Sequence, residues 1–241
     1  MKIVIGYPPL EFASGYPFLA QNRQFQWGHA PWTGYPMVPA YAATLLKNAG
    51  YQVYWLDGIW GGQSYQEWER ELLAINPEIL VMETKTPVVK KHWRIIDRLK
   101  QLTINNQQLT IVLVGDHVTA LPEESMENSK VDFILTGGDY DFLLLNICNH
   151  LTKDEELEPG IWYRESSKFK VQSYSNTGKF QLNHDLDKLP FIDRDLTNWR
   201  LYAYKNSNYC KTPGTYTMFG RDCWWGKCTF CSWTTLYPGV N

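Results

Sequence analysis

No apolar run in this 241-residue sequence approaches the roughly 18–20 residues that a membrane-spanning helix needs. The mean hydropathy of −0.38 agrees, so no membrane association is expected. No Gly-x-Gly-x-x-Gly follows the first apolar segment and no Walker A motif occurs anywhere, which excludes the ordinary dinucleotide and P-loop fingerprints. No internal repeat is visible. Charge is sparse at 20% of residues with a net of −2, and this gives no reason to expect a nucleic-acid partner. The opening Met1-Lys2-Ile3-Val4-Ile5-Gly6-Tyr7-Pro8-Pro9 is too short for a signal-peptide core and lacks a small-residue cleavage site, so the chain reads as cytoplasmic.

Hydrophobic residues make up 44% of the chain, enough for a substantial core and too many for a disordered one. Charge divides the chain. Residues 1–60 carry only Lys2, Arg23, Lys47, Glu11 and Asp57, whereas from Asn198 onward Arg200, Lys205, Lys211, Arg221 and Lys227 face Asp222 alone. Five cysteines is an odd count, and three of them crowd into nine residues. In a reducing compartment that crowding points to metal ligation rather than to a disulfide framework.

The first 150 residues alternate strand and helix signals. Apolar strand candidates lie at Lys2–Tyr7, Tyr51–Leu56, Glu78–Met82, Thr110–Val114 and Val131–Leu135. Helices fit Val38–Ala49, a segment opened by the capping box Ser64-Tyr65-Gln66-Glu67, a stretch from about Val88 to Leu102, and Asp139–Leu151. The helix near Val88 should bury Val88, His92, Ile95, Leu99 and Leu102. Short, nearly unbroken apolar strands between helices predict an α/β fold, a doubly wound parallel five-stranded sheet covered on both faces. This cofactor-binding domain should span residues 1–151. A polar linker, 152–197, should follow, with a possible hairpin formed by 161–164 and 168–171. Residues 198–241 then form a third, cysteine-bearing portion.

In such a sheet, ligands lie at the carboxyl ends of the strands. Thr84, Gly115-Asp116-His117 and Thr136-Gly137-Gly138 occupy those positions. A glycine directly after a buried strand lets backbone approach a ligand closely. His117 can serve there as a polar group, or can simply hydrogen-bond the loop while Asp116 or Thr119 caps the next turn. Cys223-Trp224-Trp225-Gly226-Lys227-Cys228-Thr229-Phe230-Cys231 places three thiols on one short loop that can converge on a metal centre. Three thiolates suit an iron–sulfur cluster with one open iron. A zinc site needs a fourth ligand, for which Cys210 is nearest; Cys148 falls in a helix as a buried small hydrophobe.

With its aromatic before the last cysteine, this Cys-x4-Cys-x2-Cys loop resembles the cluster loop of radical S-adenosylmethionine enzymes, whose usual first gap is x3. The Gly115-Asp116-His117-Val118-Thr119 segment, running on to Pro122-Glu123, resembles the N-terminal cobalamin-binding (B12-dependent) domain of one branch of that family. So does the Gly137-Gly138 turn, and Leu186–Arg194 is similar to the linker before the cluster loop. The resemblance implies that Cys223, Cys228 and Cys231 ligate a 4Fe-4S cluster. S-adenosylmethionine would bind the fourth iron, with Phe230 against its adenine. Cobalamin would contact Thr84, Gly115, His117, Thr119, Gly137 and Gly138.

The implied activity is reductive cleavage of S-adenosylmethionine and radical-based methyl transfer or a related modification. An electron donor such as a flavodoxin or ferredoxin would be the partner. The chain has no Asp-x-His-x-x-Gly, because Gly115 and Ala120 hold the outer positions; cobalamin is therefore expected to bind without an axial histidine from the protein. Ten residues follow Cys231, so the radical S-adenosylmethionine barrel is expected to be truncated and the chain a fragment. The competing expectations are a stand-alone corrinoid- or nucleotide-binding module with a C-terminal zinc site, and a purely structural fragment.

Overall fold

The structure is a computed structural model that describes residues 1–10, 16–17, 27–28, 34–102, 109–165, 173–204, 210–218, 220–221, 223–231 and 233–237. Strand β1 (Lys2–Tyr7) is followed by two short paired strands, β2 (Tyr16–Pro17) and β3 (Trp27–Gly28), and by helix α1 (Met37–Asn48). Next come β4 (Gln52–Asp57), α2 (Tyr65–Ile75), β5 (Ile79–Glu83), α3 (Val89–Gln101) and β6 (Thr110–Val114). Two short helices, α4 (Asp116–Ala120) and α5 (Pro122–Asn128), lead to β7 (Phe133–Leu135) and α6 (Tyr140–Lys153). A hairpin of β8 (Ile161–Arg164) and β9 (Tyr174–Asn176) precedes a 3-10 turn at Leu186–Lys188, α7 (Arg200–Ala203) and α8 (Trp233–Leu236).

The main sheet runs β4-β1-β5-β6-β7-β8-β9. The first five strands in that order are parallel, and β8 and β9 add antiparallel at the β7 edge. Among the described residues the sheet therefore has seven strands rather than five. The hairpin expected in the linker does form, and its first strand takes up the open hydrogen-bonding edge of β7, pairing Phe133 with Tyr163 and Leu135 with Ile161. Its second strand lies at 174–176, while the expected 168–171 falls outside the described residues.

Alternation along each central strand divides the core into two layers. Ile3, Ile5, Ile79, Val81, Val112 and Val114 face α1 and α6, meeting Val38, Ala42, Leu46, Leu143 and Ile147. Val4, Leu80, Met82, Ile111 and Leu113 face the other way, against Trp68, Leu72, Ile96, Leu99 and Val118. Full burial of each such aliphatic chain contributes about 1.5–3 kcal/mol, so both faces are covered by a doubly wound arrangement.

Local signals explain the helix ends. Ser64 Oγ accepts from the Glu67 amide at 3.3 Å while Glu67 Oε2 accepts from the Ser64 amide at 2.8 Å, which closes the capping box. Asn76 ends α2 in the left-handed region at φ 53°. Of the expected stripe, Val88, His92 and Leu99 are buried and Ile95 and Leu102 pack half-buried against the core, while Val89, Trp93 and Ile96 of α3 are buried as well. Strand β7 starts two residues later than expected, because Asp132 turns its carboxylate back to accept from the Ile111 amide at 2.7 Å. No helix among the described residues is long and apolar enough to cross a membrane.

Candidate functional site

The strand order reverses between β1 and β5, since β1 carries β4 on one side and β5 on the other. A crevice forms beyond the carboxyl ends of strands at such a point. On the β5 side of that point, Thr84 follows β5, Gly115 follows β6 and Gly137-Gly138 follow β7, on neighbouring strands of the sheet.

Gly115 ends β6 at φ +119°, and a Cβ on it would stand 2.3 Å from the Thr84 carbonyl oxygen. Only glycine allows the two strand ends to approach this closely. The Thr84 amide donates to Val114 O at 2.8 Å. Thr119 Oγ1, on α4, donates to Gly115 O at 2.7 Å and accepts from the Gly137 amide at 3.0 Å. Thr84, Gly115, Thr119 and Gly137 are thus one connected group. Gly137 lies under the Phe180 ring, where a Cβ would come within 2.3 Å, and Gly138 lies under Tyr237, where a Cβ would come within 2.1 Å. Beside this group a cleft of about 430 Å³ is lined by Thr119, Thr136, Trp162, Asn176, Lys179 and Phe180, among others.

His117 reaches from the start of α4 to the segment that follows β5. It is 4% exposed, its Nδ1 lies 3.1 Å from Thr86 Oγ1, its Nε2 lies 3.2 Å from Glu124 Oε2, and its ring meets the edge of Trp93. Burial lowers its pKa against the pull of Glu124 and Asp116. Among the described residues His117 bonds Thr86 and Glu124. Asp116 contributes an acceptor for the His117 amide at 2.9 Å.

Further polar groups lie at the strand ends. Tyr7 donates to Glu83 Oε2 at 3.0 Å inside the core, and burial pushes the Glu83 carboxyl up to about 7. The Tyr140 hydroxyl, which lines a small cavity together with Tyr7 and Glu83, is buried with no hydrogen-bond partner among the described residues. His92 Nδ1 lies 2.8 Å from Thr84 Oγ1, and burial drops its pKa to about 4, so the ring is neutral near pH 7. At the β4 end, Asp57 Oδ2 accepts from Tyr202 of α7 at 2.6 Å.

The charged centre of the site is Arg221, which is 3% exposed. Its Nη1 donates to Asp139 Oδ1 at 3.0 Å and Asp141 Oδ1 at 2.8 Å, and its Nη2 donates to Asp141 Oδ2 at 2.6 Å. Both carboxylates are fully buried at the N-terminus of α6, where the helix dipole favours negative charge. Asp139 Oδ2 also faces His184 Nδ1 at 3.4 Å, and His184 Nε2 lies 2.9 Å from Glu158 Oε2. Burial opposes charge on His184, but the bonds to Asp139 and Glu158 outweigh it and raise the pKa to about 9. The imidazolium stacks on Phe142 at 4.5 Å. Two carboxylates spaced one residue apart after Gly-Gly, and the basic balance beyond Asn198, were the traces of this network in the sequence.

Arg221 stands two residues before Cys223. Cys223, Cys228 and Cys231 are half-buried thiols, Cys210 is exposed and Cys148 is fully buried in α6. The Cys231 amide donates to Cys228 O at 3.2 Å, and Gly226 takes φ +58° to turn the loop. Phe230 is 74% exposed and Trp224 is 81% exposed. The donor set is the one an iron–sulfur cluster takes. Among the described residues, no three His, Cys, Asp or Glu side chains are gathered closely enough to hold a metal ion.

Comparison with known proteins places the fold. No protein-family model matches the sequence. An uncharacterized methyltransferase, PH0819 of Pyrococcus horikoshii, is 23% identical over 202 residues, covering 83% of this chain and 41% of its own length. The radical S-adenosylmethionine methyltransferase TsrM of Kitasatospora setae, solved with cobalamin and a 4Fe-4S cluster, superposes with a TM-score of 0.53 at 14% identity, over 78% of this chain and 30% of TsrM. The cobalamin-dependent S-adenosylmethionine radical enzyme OxsB in its apo form gives 0.63 at 17%, over 95% of this chain and 28% of OxsB. The chain thus spans about two fifths of its curated relative and under a third of these two enzymes, and its fold is theirs.

Proposed function

We propose that this chain is the cobalamin-binding and cluster-loop portion of a cobalamin-dependent radical S-adenosylmethionine enzyme of the methyl-transferring kind. The observation that carries the reading is the meeting of two features at one place. The glycine-lined ends of β6 and β7 lie next to α6, and the segment bearing the three cysteines is tied to the head of α6 through Arg221.

Thr84, Gly115, Thr119, Gly137 and Gly138 would form the cobalamin side of the site, with the adjoining cleft as its open space. The fit is through backbone and small side chains, and His117, turned toward Glu124, has no part in holding cobalt. Cys223, Cys228 and Cys231 would hold the cluster, and the exposed Phe230 ring would cover the adenine of S-adenosylmethionine. Once bound, these groups supply one-electron chemistry and a methyl carrier. The chain's own residues orient them: the Thr119 hydroxyl fixes Gly115 against Gly137, and Arg221 fixes the start of the cysteine loop.

The deciding experiment is anaerobic titration of the purified chain with hydroxocobalamin and with iron and sulfide, followed by gel filtration and metal analysis. Retention of about one cobalt per chain, together with iron that is lost when the three cysteines become serine, supports the reading. A folded chain that retains zinc and no cobalt points instead to the zinc-bearing module.

A further inference from the structure

Both ends of the cysteine loop are fastened to one four-residue turn. Before the loop, Arg221 reaches Asp139 and Asp141 with three hydrogen bonds, all buried. After it, the Gly138 amide donates to Leu236 O at 2.7 Å, and the Tyr237 hydroxyl donates to Gly138 O at 3.3 Å. The Tyr237 ring itself sits where a Gly138 side chain would be. Between these two fastenings the cysteines are only half-buried, and Trp224, Trp225 and Phe230 are exposed. The loop is held at its neck, and its aromatic side chains reach solvent along its span.

We propose that the Gly138–Asp141 turn is a neck clamp that sets the position of the cysteine loop over the strand ends, with Arg221 and Tyr237 as its positioning residues. The identity of what the loop holds rests on the function proposed above; the clamp itself does not. A buried ion triad is a poor device for stability alone, because apolar side chains of similar volume often serve as well. What the guanidinium adds is direction. Its planar fork matches two carboxylates in one orientation, which Lys cannot reproduce. Arg221 is further seated over the Tyr41 ring at 5.6 Å. Asp139 is also held by His184 through its other carboxylate oxygen.

The test is site-resolved alkylation of the metal-free chain with iodoacetamide, read by peptide mass spectrometry. Two variants are compared with the wild type: Arg221→Lys, and the paired Arg221→Met with Asp141→Leu, which removes two of the three charges at similar volume and leaves Asp139 facing His184. Cys148, fully buried in α6, reports global opening. Loss of the clamp should speed modification of Cys223 on the order of tenfold while Cys148 stays protected, the signature of local rather than global opening. An unchanged Cys223 rate in both variants overturns the proposal. So does a Cys148 rate that rises in step with Cys223 in both, since Arg221 would then hold the whole fold.

A second readout is metal. The variants should take up less iron than the wild type after anaerobic incubation with ferrous iron and sulfide, yet retain hydroxocobalamin equally. If the wild type binds neither iron nor cobalt, the proposed function falls while the alkylation contrast still decides the clamp.

Discussion

Tyr202 donates its hydroxyl hydrogen to Asp57 Oδ2 at 2.6 Å, joining α7 to the end of β4 across 145 positions of sequence. The same hydroxyl accepts from the Trp55 indole at 2.9 Å, and the Tyr202 ring meets Tyr35 edge-on at 5.4 Å. One side chain thereby holds the C-terminal segment against the edge of the sheet opposite the hairpin. Replacing it with Phe keeps the ring contacts and removes both hydrogen bonds. Tyr202→Phe should cost about 1–3 kcal/mol in urea unfolding, because the Trp55 indole loses its acceptor. Asp57→Asn in the same background should be less than additive, since the two sites are in contact.

Stability should fall as pH rises through the neutral range. Burial raises the native pKa of Glu83 from 4.5 to about 7, and burial raises that of Asp57 from 3.8 to about 6. A group that binds its proton more tightly when folded contributes fully below its unfolded pKa and loses that contribution as pH climbs through the folded value. His92, depressed from 6.5 to about 4, acts in the opposite sense and costs stability below pH 6.5. Glu83→Gln preserves an acceptor for Tyr7 and removes the ionisation. It should gain on the order of 2–3 kcal/mol over the wild type at pH 8 and nothing at pH 4. Chemical denaturation at the two pH values checks this.

Glycines at two turns should respond very differently to alanine. At Gly115 a methyl group meets the Thr84 carbonyl at 2.3 Å with φ +119°, so Gly115→Ala should lose more than about 4 kcal/mol or fail to fold. At Gly50, φ is +93° but nothing lies within 4 Å, and Gly50→Ala should cost only about 1 kcal/mol. Thermal melts of both separate the demand for a left-handed backbone from the demand for space.

Thr119 offers a test inside the candidate site. Thr119→Val removes the hydroxyl that bridges Gly115 O and the Gly137 amide, whereas Thr119→Ser retains it. The valine variant should be destabilised by about 1–3 kcal/mol and should lose hydroxocobalamin on gel filtration; the serine variant should keep it.

The five parallel strands and helices α1, α2, α3 and α6 were legible because their apolar or periodic runs are bounded by clear stops, such as Asn76-Pro77 or the Ser64 capping box. Helices α4 and α5 were not, since five and seven residues between Gly115 and Ser129 are too few for periodicity to show. The joining of β8 to β7 was not legible either. A hairpin's local pattern does not say which open edge it will pair with, and that choice is made by tertiary contact. Within the site, glycines and cysteines announced themselves by type and spacing. Arg221, Asp139, Asp141 and His184 did not, because ionic partners 80 and 45 positions apart leave no periodic trace.

Ribosomal synthesis gives that separation a direction in time. Asp139 and Asp141 are made about 80 residues before the guanidinium that neutralises them. At roughly 5–20 residues per second the interval is on the order of ten seconds. Through it the nascent α/β layer carries an acidic pair at the head of α6 that water must solvate. His184, 45 residues after Asp139, is the first counter-charge to emerge. The guanidinium then arrives at a waiting anionic socket, and it brings the cysteine segment with it.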